Sequence, residues 1–182
     1  ERVINIAEIL GGDLVIVDAS LQSTNLETLK AIRRDNISQE DYRMFLRYLN
    51  KKGIDSDAEI IMGLPQETRE SFFNGIKSLF EERAGQIITY HCRILKGAEM
   101  SNPRDLEKWG VKTKWRLIDT QYGEYETEDG SFKSIEAEEM VKSNNTMSEE
   151  DLFYLRELGW LIQFTWNYKY YRSLLEYVFS NN

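Results

Sequence analysis

The residues best suited to chemistry lie beside turns. Glu59 and Glu67 flank Gly63-Leu64-Pro65, and paired carboxylates are common equipment for general acid–base work. No third group accompanies them, and Glu67, next to a helix start, is better placed to bond backbone there. Ser20-Leu21-Gln22-Ser23 is a polar turn whose side chains are candidates for a ligand or, read locally, caps for the next helix. Arg33-Arg34 follows at that helix's end, where cations offset the C-terminal dipole. Its place after the polar turn makes an anionic ligand an equal reading. His91 and Cys92 are neighbours in a strand-like run, so they point to opposite faces and cannot chelate one metal together. With one cysteine and one histidine in the chain, an intrachain disulfide and a self-contained four-ligand zinc or iron–sulfur site are excluded. The same cysteine usage favours a reducing, cytoplasmic setting.

The elements that must position these groups follow from periodicity and caps. Residues 1–12 have the spacing of a helix stopping at Gly11-Gly12, and Leu14-Val-Ile-Val17 reads as a buried parallel strand. Asn25 caps a short helix through Ile32, with Leu26, Leu29 and Ile32 on one face. Ser38, with Asp41 three residues on, opens a second helix that stops at Gly53. Ile60-Ile-Met62 is the next strand, and Thr68 caps a helix carrying Phe72, Phe73, Ile76, Leu79 and Phe80, which ends near Gly85. Ile87 to Leu95 is a third strand, closed by Lys96-Gly97. This alternation implies parallel strands with right-handed crossovers. It brings Ser20–Ser23, Gly63–Glu67 and Lys96–Gly97 to one rim.

Beyond residue 100 the character changes. Asn102-Pro103 starts a short helix running to Trp109-Gly110. Asp129-Gly130 marks a hairpin within residues 111–141. Ser148 and Asp151 form a capping box before a long, aromatic-rich segment reaching about Phe179, expected to be mostly buried and broken at Gly159. The 182 residues suit one domain, or one domain with an appendage. A hydrophobic content of 41% rules out a disordered chain, and a net charge of -8 argues against nucleic acid or an anionic membrane as partner. No apolar run approaches the ~20 residues of a membrane span. The chain begins at Glu1 rather than Met, and is therefore expected to be a fragment.

Three features together resemble the C-terminal half of a radical S-adenosylmethionine (SAM) barrel, in particular members that often carry an N-terminal cobalamin-binding domain. They are Ala19-Ser-Leu-Gln-Ser23 with Leu29-Lys-Ala-Ile-Arg-Arg-Asp-Asn36, then Glu59-Ile-Ile-Met-Gly-Leu-Pro-Gln-Glu-Thr68, then Arg93-Ile-Leu-Lys-Gly97. The resemblance is good over residues 13–100 and looser over 101–182. It implies an α/β fold in which residues 1–100 are the last three βα units of a partial (β/α)6 TIM-like barrel. Residues 101–182 would then form an α+β C-terminal extension.

By the same resemblance, Ser20, Gln22 and Ser23 touch the ribose or amino-acid end of SAM, and Arg34 pairs with its carboxylate through a two-donor guanidinium. Ile61 and Gly63 face the adenine, with Leu95 and Lys96 bordering it. The intact enzyme would bind a 4Fe-4S cluster and SAM, with cobalamin a further candidate. It would cleave SAM reductively to a 5′-deoxyadenosyl radical or transfer a methyl group to a small-molecule or peptide substrate. Two departures stand out. Gln66 replaces a glycine where the motif favours positive φ, and the three-cysteine loop that ligates the cluster is absent, so this chain alone is expected to be inactive. A half barrel exposes an edge and an interior, to be covered by upstream residues, a dimer partner or the extension. Two other readings remain: a different α/β-barrel enzyme using the rim carboxylates, and an interaction domain docking through its aromatic C-terminal helix.

Overall fold

The computed structural model describes residues 5, 6, 9, 10, 16–18 and 20–181. Of the helix expected over residues 1–12, residues 5, 6, 9 and 10 are helical, and the rest of it and most of the strand from Leu14 lie outside the described residues. Strand β1 (Val17–Asp18) pairs in parallel with β2 (Ser56–Met62), and β2 pairs in parallel with β3 (Gln86–His91). Between them lie α1 (Leu26–Ala31), α2 (Gln39–Lys52) and α3 (Arg69–Glu81). The caps that sequence predicts are in place. The Asn25 side chain accepts from Glu27 N, the Ser38 hydroxyl accepts from Asp41 N, and Thr68 and Ser71 cap reciprocally at the start of α3. Gly53 ends α2 at φ +67, a conformation that costs glycine nothing. Leu26, however, is exposed at the start of α1 while Leu29, one turn on along the same face, is buried.

β2 is longer than the apolar run Ile60–Met62 because it alternates. Ser56, Ala58, Ile60 and Met62 are buried beneath the helices, whereas Asp57, Glu59 and Ile61 are half-buried on the opposite face. β3 is shorter than expected, ending at His91. Cys92 and Ile94 stay buried, and while Cys92 N still donates to Met62 O of β2 at 2.9 Å, the backbone then turns to the next sheet: Val141 N donates to Cys92 O at 3.0 Å and Ile94 N to Glu139 O at 2.8 Å. That sheet is a hairpin of β4 (Lys112–Thr127) and β5 (Gly130–Ser143), antiparallel, following the short helix α4 (Pro103–Lys108) with Asn102 as its cap. The turn residues are Glu128-Asp129, with Gly130 already paired to Thr127.

The C-terminal segment departs most from expectation. Helix α5 (Glu149–Ile162) opens with the Ser148–Asp151 capping box and passes straight through Gly159 into a π-helical turn, Gln163–Asn167. Gly159 is needed for close packing rather than for a break. A Cβ there would sit 2.2 Å from Thr89 Oγ1 on β3. The break comes at residues 168–171, before α6 (Arg172–Ser180). Nor is the segment mostly buried. Leu152, Leu155, Ile162 and Trp166 face inward, while Trp160, Phe164, Tyr170 and Tyr177 are exposed.

One hydrophobic core joins Leu46, Ile60, Met62, Ile76 and Ile87 to Val141, Met147, Leu155 and Trp166. At the outer side of β3 the Asn167 carboxamide accepts from Ile87 N and donates to Ile87 O, both at 2.9 Å, as a neighbouring strand would. The architecture is thus α/β, with a parallel sheet, an antiparallel hairpin and C-terminal helices. Among the described residues the strands form no closed or curled barrel.

Gly85 tests how tightly β2 meets the loop before β3. A Cβ at this residue would lie 2.5 Å from Ser56 O, whereas one at Gly53 meets nothing within 4 Å. In urea denaturation, Gly85→Ala is expected to cost about 3 kcal/mol. Gly53→Ala should cost only about 1 kcal/mol, from its positive φ alone.

Candidate functional site

A cleft of about 1240 Å³ opens at the strand ends, on the sheet face that the helices leave uncovered. Gln22 from the turn after β1, Glu59 and Ile61 from β2, Leu64, Pro65 and Gln66 from the following turn, and Tyr90 from β3 line it. Leu95, Met100 and Trp109 close the far side, with Lys30, Arg33 and Lys108 at its margins. The floor is polar. Glu59 accepts hydrogen bonds from the Tyr90 hydroxyl at 3.0 Å and from the Ser20 hydroxyl, which also lies 3.1 Å from Asp18 Oδ1. The bond to Glu59 holds the Tyr90 phenol above its ordinary range, with desolvation adding to it.

Of the residues that sequence points to, Gln22, Ile61 and Leu95 line this cleft together. Gln22 holds φ +60, and its carbonyl accepts from Ile61 N at 2.7 Å, fixing the turn to β2. Ser20 reaches the cleft floor through Glu59. Ser23 and Arg34 line a second cavity, of about 570 Å³, on the other side of the turn. Arg34 Nη2 donates to Ser20 O at 2.6 Å and its Nε to Asn36 Oδ1 at 3.0 Å. Asn36 in turn donates to Leu21 O and Ser23 O at 2.7 and 3.1 Å. Gly63, at φ +87, is buried against Leu152 and Val141. Lys96 is exposed beyond Leu95.

The two rim turns are tied together by a carboxyl group. Glu67 is 1% exposed and accepts from the Ser23 and Ser71 hydroxyls, while Asn25 Nδ2 donates to Gln66 O at 3.2 Å. Burial raises its carboxyl above the usual range, against the lowering effect of these hydroxyl donors. Gln66 adopts φ +65, the backbone that the glycine-favouring motif calls for. Glu59 and Glu67 do not form a catalytic pair, since Glu59 lines the cleft and Glu67 sits behind its wall.

Some long-range contacts at this site carry no signal in the sequence. Asn144 donates to Gly63 O at 3.0 Å and Leu64 O at 3.2 Å, and the Thr146 hydroxyl donates to Glu67 O at 2.8 Å. They lie about eighty positions away in the chain, beyond the reach of any periodicity argument. Cys92 is buried, and desolvation pushes its thiol up to about 12. Among the described residues no group of three His, Cys, Asp or Glu side chains is placed to hold a metal ion. No helix among them is long and apolar enough to cross a membrane.

Because the folded state favours protonated Glu67, its contribution to stability is fully present below the unfolded carboxyl value, near 4.5, and is lost as pH rises through the raised folded value. Glu67→Gln is therefore expected to flatten the fall in stability above pH ~4.5. Parallel pH–stability curves for the two proteins would contradict this.

No family model matches the chain. The cobalamin-dependent radical SAM methyltransferase TokK of Streptomyces tokunonensis is 33% identical over 133 residues, covering 72% of this chain and 19% of TokK. A 2-(S-pantetheinyl)-carbapenam-3-carboxylate methyltransferase of Streptantibioticus cattleyicolor is 32% identical over 160 residues, 87% of this chain and 23% of that protein. The chain thus spans about a fifth of the length of these curated relatives. Among solved structures, the radical SAM methyltransferase TsrM of Kitasatospora setae, with tryptophan and a SAM analogue bound, aligns at TM-score 0.43 and 15% identity. That alignment covers 58% of this chain and 21% of TsrM, a likeness too slight to carry an argument. Over most of its length, the chain is homologous to a segment of cobalamin-dependent radical SAM methyltransferases such as TokK.

Proposed function

We propose that this chain contributes the last three βα units of a partial (β/α)6 barrel and its C-terminal extension to a radical SAM methyltransferase, and that its cleft takes the adenosyl end of SAM. The observation that supports this most is the convergence of Gln22, Ile61 and Leu95 on one cleft. The resemblance assigns each of them to the cofactor, and each comes from a different strand end. An adenine needs apolar walls and nearby backbone, which Ile61, Leu95 and the Leu64–Gln66 turn offer. A ribose needs hydrogen-bonding groups, which Gln22 and the Glu59 carboxylate offer. In this reading Lys96 borders the adenine side beyond Leu95, and the margin of the cleft, where Lys30 pairs with Glu27 at 2.8 Å and Arg33 with Glu99 at 2.9 Å, offers both charges to the amino and carboxylate groups of SAM. Ser23, Arg34 and Gly63 shape the wall from behind.

SAM supplies the transferable methyl group and the adenosyl group when bound. The residues of this chain bind and orient it. The chain does not fit an iron–sulfur cluster, because its sole cysteine is buried in the core with its thiol protonated, and no step of the reaction is assigned to this chain through one. The similarity to these relatives and the sequence resemblance together support cobalamin use and a small-molecule substrate for the whole enzyme.

In the intact enzyme, Ile61→Trp is expected to fill the adenine side of the cleft and weaken S-adenosylhomocysteine binding tenfold or more, a change of about 1.4 kcal/mol, measured by calorimetry. If the rim-carboxylate enzyme were the right reading, the wild type would show no such binding and Glu59→Gln would abolish turnover. Anaerobic reconstitution of this chain with iron and sulfide is expected to give no stoichiometric cluster. Near-stoichiometric iron would sink that part of the proposal.

A further inference from the structure

The extension and the cleft wall meet at one carboxamide. Asn144 Nδ2 gives its two hydrogens to Gly63 O and Leu64 O. Its Oδ1 accepts from Thr146 N and Met147 N, both at 2.9 Å. This pattern fixes the amide orientation, since a flip would set the oxygen against two carbonyls and the nitrogen against two N–H groups. The Thr146 hydroxyl, 2.8 Å from Glu67 O and 3.0 Å from Asn144 Oδ1, extends the contact to the end of the turn.

The turn needs such support. Gly63 at φ +87 and Gln66 at φ +65 are two left-handed residues within four positions, and a non-glycine residue keeps that conformation only where its surroundings over-determine it. Leu64, Pro65 and Gln66, held between these points, line the cleft.

We propose that Asn144 and Thr146 are positioning residues for the cleft's ligand. They lock the carbonyls of Gly63, Leu64 and Glu67, so that the wall is preformed and its shape is set by the extension rather than by the sheet preceding it. Neither side chain lines the cleft, so their effect on a ligand passes through the turn. The inference rests on the reading of the cleft as an adenosyl site and adds to it what holds that site in shape.

Asn144→Asp separates this role from a local structural one. It keeps the acceptor for the Thr146 and Met147 amides, and removes the donors to Gly63 O and Leu64 O. In the full-length enzyme, S-adenosylhomocysteine affinity is expected to fall roughly tenfold, while kcat at saturating SAM stays within about twofold of wild type. A purely structural role would lower the melting temperature and the active fraction, leaving the affinity of folded protein unchanged, and that result overturns the assignment. Should the Asp variant not fold, Thr146→Val, which removes only the hydroxyl contacts, is expected to weaken binding about threefold. No change there overturns it equally. Wild-type enzyme that binds no S-adenosylhomocysteine is a different failure, that of the adenosyl reading itself.

Discussion

A buried turn must find donors for carbonyls that neither a strand nor a helix can serve, and the turn between β2 and α3 has four of them. Asn144 serves Gly63 and Leu64, Asn25 serves Gln66, and Thr146 serves Glu67. Leu64 O also accepts from Glu67 N within the turn at 3.2 Å, but the side-chain donors all come from outside it. Asn25 is also the cap of α1, while Asn144 and Thr146 close the hairpin and lead into α5. The turn is therefore where the first helix, the parallel sheet and the extension become one body. The continuous core around Ile60, Met62, Val141, Met147 and Leu152 packs beneath it.

Behind the turn, Glu67 adds a second constraint. Hydroxyl donors, Ser23 from the first rim turn and Ser71 from α3, hold its carboxyl in place. Burial favours the neutral form, so the group acts as a hydrogen-bonding bracket more than as a charge. Glu59, only eight positions earlier, faces the cleft and is bonded by Tyr90 and Ser20. The same residue type thus plays a concealed part on one side of the wall and an accessible part on the other.

What was legible in the sequence was mostly local. Caps at Asn25, Ser38, Thr68, Asn102 and Ser148 were readable because each depends on hydrogen bonds to residues two or three positions away. The parallel order of β1, β2 and β3 followed from their alternation with helices. Misread elements depended on distant partners. The end of β3 leaves its sheet because β5 offers new hydrogen bonds, and its apolar residues give no sign of the exchange. Aromatic residues after Trp160 suggested burial, but aromatic content does not say which side of a helix is covered, and of the aromatic residues from Trp160 to Phe179 only Trp166 is buried. Of the candidate site, Gln22, Ile61 and Leu95 could be placed from strand ends. Asn36, Asn144 and Thr146 could not, since nothing in a short polar side chain announces a bond across tens of residues.

Asn167 has a consequence for how this sheet can be assembled. Its carboxamide occupies both hydrogen-bonding groups of Ile87, and past His91 the backbone is already engaged by β5. A further strand arriving at β3 would have to evict the π-helical turn and peel away the hairpin, losing Trp166 and Val141 from the core as it did so. Among the described residues, side-chain mimicry of a strand thereby blocks growth of the sheet on that flank, which gives the sheet a polarity: there, docking of more chain is closed off before it can start.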